Sequence, residues 1–240
     1  MINLAKMDKH AVGKLFDYSI LPKQTTEKEI REGCREAIAY NCAAFYSASP
    51  YWTPVVKEEL KGTDVLIATG IDFPFGVAPL AVKLLETEKA LEAGCQSVDL
   101  VINAGALKSG HVDVVRREIK EFVSLAKGRA LTKIILEVCY LTNAEIVTGC
   151  RFIQEAGADF AKTSTGQFEG PTMGQVLLMR ETLKDSGIRL KVSGVKFPRP
   201  QNAYAFILAG AELIGTRAAP EIIDALDEMR LAGLIPAYQQ

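Results

Sequence analysis

The sequence predicts an α/β protein, a single (β/α)₈ TIM barrel that spans residues 1–240 as one domain. Short apolar runs alternate eight times with longer amphipathic stretches, no Pro- or Ser-rich linker interrupts the series, and 240 residues suit one such barrel. An open doubly wound sheet is the alternative. It would more naturally have about five to seven strands and a glycine-rich first turn, and no GxGxxG motif follows the first strand here.

The predicted strands are short and apolar enough to be buried on both faces, as parallel strands flanked by helices are. They cover residues 15–20, 43–46, 65–69, 97–102, 133–138, 160–163, 189–193 and 213–215. The pattern predicts helices over residues 26–40, 53–60, 80–93, 112–127, 143–156, 172–184, 199–208 and 220–230. Thr26 followed by Glu29 predicts a capping box at the start of the first of these helices.

Composition excludes several classes of protein. Lys and Arg total 28 against 29 Asp and Glu, so the net charge of −1 argues against a nucleic acid polymer or an anionic membrane as partner. The five cysteines form no CxxC pair, which argues against a disulfide framework or a structural zinc site. With no long apolar run, we expect a cytoplasmic protein. Only two histidines occur, His10 and His111, and their spacing disfavours a metal site or a metal-dependent lyase.

Four charged residues interrupt strands that are otherwise apolar: Asp99, Glu137, Lys162 and Lys191. The residues on either side of each are uncharged, and strand side chains alternate between faces, so we expect all four charges to point into the barrel. A buried charge is costly unless it is paired or neutralised. For Glu137, a structural ion pair and a functional role both stay open.

Lys162 and Lys191 stand on consecutive strands, which lie ~4.8 Å apart in a sheet. A structural network would avoid placing two ammonium groups together, whereas a nucleophilic amine exploits that repulsion. Burial and a nearby like charge lower a lysine pKa, and moving it from ~10.4 to about 7–8 gives a neutral amine at working pH. Such an amine attacks a carbonyl to form a Schiff base, and Asp99 would relay protons, alone or through water.

At these residues the chain resembles the deoxyribose-phosphate aldolases, class I aldolases on a (β/α)₈ barrel, over nearly its whole length. The most specific segment is 155–166 (EAGADFAKTSTG), and it is joined by 97–103 (SVDLVIN), 105–110 (GALKSG), 191–194 (KVSG) and 135–137 (ILE). The resemblance implies that Lys162 forms the Schiff base, Asp99 relays protons and Lys191 is the second lysine. It also implies reversible cleavage of 2-deoxyribose 5-phosphate to glyceraldehyde 3-phosphate and acetaldehyde, with no metal and no cofactor.

Departures from the family pattern are concentrated in two loops. After strand seven the chain reads SGVKFPR (193–199) where the family usually has Ser-Gly-Gly, and after strand eight it reads GTRAA (215–219) instead of a Gly-Thr/Ala-Ser-Ser type of turn. Segments 17–19 (DYS) and 42–46 (CAAFY) also differ from the usual Asp-His-Thr and Val-Cys-Val. Barrels bind phosphate in the loops after strands seven and eight, so these departures bear on the identity of the substrate and not on the lysine chemistry.

Three interpretations of these loops stay open: side chains grip a phosphate, Arg217 clamps a carboxylate, or Lys196 and Arg217 are solvated surface residues. There are therefore two alternatives to deoxyribose-phosphate cleavage. One is the same Schiff-base aldol chemistry on a related sugar phosphate or a carboxylate-bearing substrate, and the other is a non-catalytic barrel that binds an anion. The expected partner is a small anionic sugar or aldehyde. The predicted substrate-binding residues are Ser193, Gly194, Lys196, Gly215, Arg217 and Gly166.

Two further expectations concern the terminal segment and assembly. Tyr238 could reach over the mouth of the barrel as a proton donor, although a frayed terminus is the simpler interpretation. Barrels of this kind often pair through outer helices, so we expect a homo-oligomer, a dimer or a tetramer.

Overall fold

Eight parallel strands form a closed barrel in the computed structural model, which describes residues 2–239. Each strand pairs with its neighbours in sequence, and the last strand closes on the first. The barrel class predicted from the alternating pattern is therefore confirmed. The strands are β1 (Phe16–Ile20), β2 (Ala44–Ser47), β3 (Leu66–Ile71), β4 (Ser97–Val101), β5 (Leu131–Ile135), β6 (Phe160–Lys162), β7 (Arg189–Ser193) and β8 (Leu213–Thr216).

Helices surround the barrel in the predicted order, with two short ones that the pattern did not predict, α1 (Lys9–Gly13) and α5 (Ala104–Lys108). The predicted helix over 220–230 is two helices, because the backbone at Ala225 (φ −73°, ψ 0°) ends one and begins the next. None of the helices within residues 2–239 has the length and apolar character needed to cross a membrane. The helices are α1 (Lys9–Gly13), α2 (Glu27–Ala39), α3 (Thr53–Glu59), α4 (Leu80–Ala93), α5 (Ala104–Lys108), α6 (Val112–Ala126), α7 (Asn143–Ala156), α8 (Met173–Leu183), α9 (Arg199–Leu208), α10 (Ala219–Asp224) and α11 (Leu226–Leu231).

Local signals set where several helices begin and end. The predicted capping box is present: the Thr26 hydroxyl accepts from the Glu29 backbone N–H, and the Glu29 carboxylate accepts from the Thr26 N–H at 2.8 Å. Such a box satisfies N–H groups that have no partner inside the helix. α7 ends at Gly157, whose φ of 68° is a left-handed conformation that glycine adopts without strain.

The main apolar core lies between the strands and the helices. Val98 and Leu100, the neighbours of Asp99 on β4, are fully buried in it, as strand alternation predicts. A much smaller apolar cluster inside the barrel contains Tyr46 and two alanines. The interior of the barrel is therefore left mainly to polar and charged side chains.

The fifth strand begins and ends earlier than the sequence predicts. β5 runs from Leu131 to Ile135, so Lys133 is its interior charge, and Lys133 pairs in register with Asp99 of β4. Glu137 lies beyond the strand with φ 55°, and its carboxylate accepts from the Thr165 backbone N–H at 3.2 Å. The prediction that Glu137 is a strand residue is wrong, because the chain turns at Glu137 after β5 has ended. Its carboxylate instead joins the loops that follow β5 and β6.

Candidate active site

Five charged side chains meet inside the barrel. They come from β1, β4, β5, β6 and β7, and none is more than 2% exposed. Period-two alternation turns each of them inward while its neighbours pack against the helices. Three of the five, Asp99, Lys162 and Lys191, are predicted from the sequence; the two it misses are Asp17 and Lys133.

The five groups form a continuous chain of short contacts. Lys162 Nζ donates to Asp99 Oδ2 at 2.8 Å, and Lys191 Nζ donates to the same oxygen at 3.0 Å. Lys191 also donates to Asp17 Oδ2 at 2.6 Å, and Lys133 donates to that oxygen at 2.7 Å. Each carboxylate is thus shared between two amines, and the three lysines are held in fixed positions by two acids.

The environments of Lys162 and Lys191 move their pKa values apart. Burial is the largest influence on Lys162, and together with the nearby Lys191 charge it outweighs the attraction of Asp99 and lowers the Lys162 pKa to about 8. Burial also opposes the charge of Lys191. There the two carboxylates of Asp17 and Asp99 outweigh burial, so the Lys191 pKa is raised above its ordinary value. Lys162 is therefore the amine that can be neutral, and Lys191 keeps its charge.

The acids and the third lysine complete the electrostatics. Burial raises the pKa of Asp99, but the charges of the three lysines outweigh burial and hold that pKa well below its usual range. The Asp17 pKa is lowered in the same way, against burial, by Lys133 and Lys191. Burial lowers the pKa of Lys133, and Asp17 only partly offsets it. Both acids are consequently ionised at neutral pH and accept hydrogen bonds from the amines.

A cleft of about 320 Å³ lies beside this cluster, at the carboxyl ends of the strands. Four of the predicted substrate-binding residues line it together: Gly166, Gly194, Gly215 and Arg217. Arg199, the first residue of α9, lines it as well and is absent from the predicted set. The cleft therefore combines glycine backbone from the loops after β6 and β7 and from the carboxyl end of β8 with two guanidinium groups, a composition suited to an anion.

The other two predicted substrate-binding residues lie elsewhere. Ser193 is buried, and its Oγ stands 2.4 Å from where a Cβ on Gly215 would be, so it lies beneath Gly215 rather than in the cleft. The Lys196 side chain is 62% exposed, and its Nζ forms an ion pair with Glu169 at 2.6 Å. Lys196 is thus outside the cleft, and a role for it in substrate binding stays a prediction.

Close backbone packing fixes the loops after β6 and β7. A Cβ on Gly170 would lie 1.9 Å from the Gly194 carbonyl oxygen, and a Cβ on Gly194 would lie 2.7 Å from Gly170 Cα. Gly194 also has φ 78°, a conformation that side chains rarely adopt. Both glycines are therefore needed for the two loops to meet at the cleft wall.

Tyr238 lies at the opposite end of the barrel. Its ring packs under the Arg230 guanidinium at 5.1 Å, and the neighbouring Gln239 N–H donates to the Ala5 carbonyl at 2.7 Å. Ala5 precedes α1, which leads into the amino end of β1. In this arrangement Tyr238 is remote from Lys162.

A family model, two sequence relatives and two solved structures that resemble this chain are all described as aldolases. The family model described as "DeoC/LacD family aldolase" matches residues 11–199. Deoxyribose-phosphate aldolase of Clostridium tetani is 42% identical over 214 residues, which cover 89% of this chain and 98% of that protein. The Geobacillus sp. enzyme of the same name is also 42% identical over 214 residues, with 89% and 95% coverage.

Solved structures agree with these relatives. QR15, described as an aldolase, superposes with a TM-score of 0.83 at 32% identity and covers 92% of this chain and 98% of its own. A deoxyribose phosphate aldolase from Aeropyrum pernix, described as a unique tetramer, has a TM-score of 0.83 at 29% identity, with 92% and 93% coverage. The likeness thus extends over nearly the whole barrel.

Proposed function

This chain belongs to the DeoC/LacD family of aldolases, and we propose that it reversibly cleaves 2-deoxyribose 5-phosphate to glyceraldehyde 3-phosphate and acetaldehyde through a Schiff base on Lys162. The observation that carries the proposal is the Lys162 amine: it is buried at the carboxyl end of β6, 2.8 Å from Asp99, with its pKa lowered to about 8. The relatives of this chain that are named deoxyribose-phosphate aldolase support the choice of substrate.

The reaction begins when neutral Lys162 attacks the aldehyde carbon of the open-chain sugar. The C–N bond forms, the carbonyl oxygen takes up a proton, and loss of water leaves an iminium ion. The bond between carbons 2 and 3 then breaks, its electron pair moves toward the iminium nitrogen to give an enamine, and the carbon 3 hydroxyl loses its proton. Glyceraldehyde 3-phosphate leaves, the enamine is protonated at carbon 2, and water releases acetaldehyde.

Asp99 and Lys191 have distinct tasks in this scheme. Asp99 is ionised and touches Lys162, so it accepts a proton at one step and returns it at the next. Lys191 is the fixed positive charge next to that carboxylate, and its charge helps to keep Lys162 neutral. The tasks require Lys191 to stay protonated, which is the effect of its two carboxylate partners.

Trapping with borohydride tests the proposed function directly. Wild-type protein incubated with acetaldehyde and reductant is expected to gain one two-carbon adduct, which peptide mass mapping locates on Lys162. Cleavage of 2-deoxyribose 5-phosphate, its unphosphorylated sugar and a carboxylated analogue should then be compared. Absence of any adduct would contradict the Schiff-base proposal. Preference for the carboxylated compound would show that the anionic group of the substrate is a carboxylate and not a phosphate.

The rate of Schiff-base formation is expected to rise with pH. With a Lys162 pKa of about 8, roughly a tenth of the amine is neutral at pH 7 and about nine tenths at pH 9. The trapping rate at fixed low acetaldehyde should therefore increase close to tenfold over that interval and then level off. Initial rates of adduct formation by intact mass spectrometry check this, and a flat profile from pH 7 to 9 would contradict the shifted amine.

Arginine side chains are expected to hold the phosphate. Arg199→Ala removes a cation that lines the cleft, so KM for 2-deoxyribose 5-phosphate should rise roughly tenfold while cleavage of the unphosphorylated sugar changes little. The matched control is Arg117→Ala, because Arg117 is an exposed cation on α6 paired with Glu121. Equal effects on the phosphorylated and unphosphorylated sugars would show that Arg199 does not contact the phosphate.

A further inference from the structure

The phenol ring of Tyr46 lies close to both amines of the charge cluster. Tyr46 lies on β2, points into the barrel and is 1% exposed. Lys162 Nζ is 4.8 Å and Lys191 Nζ 5.4 Å from the centroid of its ring. These distances are within the range of a cation–π contact, so Tyr46 is a direct neighbour of the amine proposed to react.

The hydroxyl of Tyr46 is buried and has no hydrogen-bond partner among residues 2–239. Two other buried tyrosines in the chain are both satisfied: Tyr18 donates to Glu36 Oε2 at 2.6 Å, and Tyr204 donates to the Ile222 carbonyl at 3.0 Å. Buried polar groups in proteins are nearly always paired, and the exceptions call for a reason. A donor held ready for a bound molecule is such a reason.

The Tyr46 hydroxyl occupies space that is free only because Gly70 has no side chain. A Cβ on Gly70 would stand 2.3 Å from the Tyr46 hydroxyl oxygen and 2.6 Å from Phe73 Cβ. Gly70 pairs in register with Asp99 across β3 and β4. The hydroxyl is therefore directed toward the stretch of β3 that borders the proton-carrying carboxylate.

We propose that the Tyr46 hydroxyl donates a hydrogen bond to the carbonyl oxygen of the substrate as Lys162 attacks it, an inference that rests on the Schiff-base function proposed above. When Nζ bonds to the carbonyl carbon, the π electron pair moves onto the oxygen. That oxygen is then two bonds from Nζ, beside the ring that lies close to the amine. A buried donor at this point stabilises the negative charge as it develops.

The hydroxyl acts as a donor that keeps its own proton. Burial is the main cause that raises the Tyr46 pKa well above its ordinary value, and the carboxylates of Asp99, Glu86 and Asp17 add to it. The proton that the new carbinolamine oxygen requires comes from the attacking amine by way of Asp99. One N–H bond is lost, one O–H bond is formed, and the phenol is unchanged at the end of the step.

Tyr46→Phe tests the inference because it removes the hydroxyl and keeps the ring. At pH 8, the rate of borohydride-trapped adduct formation with acetaldehyde is expected to fall at least about tenfold, as for loss of an oxyanion donor. The thermal midpoint should stay equal to that of wild type or rise, since no hydrogen bond within the protein is lost. A purely structural tyrosine would leave the trapping rate unchanged.

Tyr204→Phe is the matched control, with the same atom removed from a buried tyrosine on α9 that hydrogen-bonds to Ile222. It should lower the thermal midpoint and trap at the wild-type rate, the reverse of the Tyr46 variant. Wild-type trapping by a folded Tyr46→Phe protein overturns the inference and leaves the proposed function standing. If wild-type protein forms no adduct at all, the proposed function itself fails and the inference falls with it.

Discussion

Lys162→Met is expected to lower kcat for aldol cleavage by about 10⁴-fold or more and to remove the borohydride-trapped adduct, because it deletes the only proposed nucleophile. Methionine keeps most of the length of the side chain. Asp99 retains Lys191 at 3.0 Å, so the carboxylate is not left without a cation. We therefore expect a folded protein, and the measurements are steady-state cleavage, adduct mass and a urea unfolding curve.

Lys191→Met is the matched control, since it removes the other amine that touches Asp99. Without the Lys191 charge, the attraction of Asp99 is less opposed and the pKa of Lys162 should rise. The variant should still form an adduct on Lys162, more slowly at pH 7 and with a profile displaced to higher pH. An adduct that maps to Lys191 in the Lys162→Met protein would show that the two roles are exchanged.

The charges on β4, β6 and β7 could be predicted because a strand alternates its side chains even when both faces are buried. Val98 and Leu100 on one face and Asp99 on the other illustrate this, and the structure places them as expected. Adjacency of Lys162 and Lys191 followed from consecutive parallel strands, and the register pairs these two residues directly. Period and strand order are sufficient for this part of the site.

Asp17 and Lys133 were missed for different reasons. The sequence pattern places Lys133 at the start of the fifth strand, because the apolar run through Val138 is typical of a strand. No local sequence signal indicates the left-handed turn at Glu137 that ends the strand early. Asp17 lies inside the correctly predicted first strand, but its significance comes from two partners, Lys133 and Lys191, that are more than a hundred residues away. Contacts between residues so far apart in the sequence cannot be predicted from a local sequence pattern.

The loops were predictable in position and less so in side-chain direction. Gly166, Gly194, Gly215 and Arg217 line one cleft, because the carboxyl ends of parallel strands all open at the same face. The Lys196 side chain turns outward because it forms an ion pair with Glu169 on a neighbouring exposed loop. Tertiary contacts rather than strand period decide such directions.

Loss of the Asp17 carboxylate should weaken the fold strongly. Its Oδ2 accepts from both Lys133 and Lys191 at 2.7 and 2.6 Å, and its side chain is 1% exposed. Asp17→Asn leaves these buried ammonium groups to share Asp99 with Lys162, so the free energy of unfolding should fall by about 3–5 kcal/mol. Urea denaturation measures it, and the slope of the transition should stay constant if only stability changes. A loss below about 1 kcal/mol would contradict the prediction.

A compensating substitution distinguishes charge imbalance from altered packing at Asp17. Adding Lys133→Met to Asp17→Asn removes one cation together with one anion, and replacing a buried pair by apolar side chains is often neutral. The double variant should therefore regain at least half of the stability lost by the single one, a coupling expected of residues in contact. Asp64→Asn is the exposed control: its pair with Lys14 at 2.9 Å is 75% exposed on the acid side and should contribute less than about 1 kcal/mol. A double variant less stable than Asp17→Asn would contradict the charge explanation. It would mean that the Lys133 side chain stabilises the barrel by packing, and that its unpaired charge is not what destabilises Asp17→Asn.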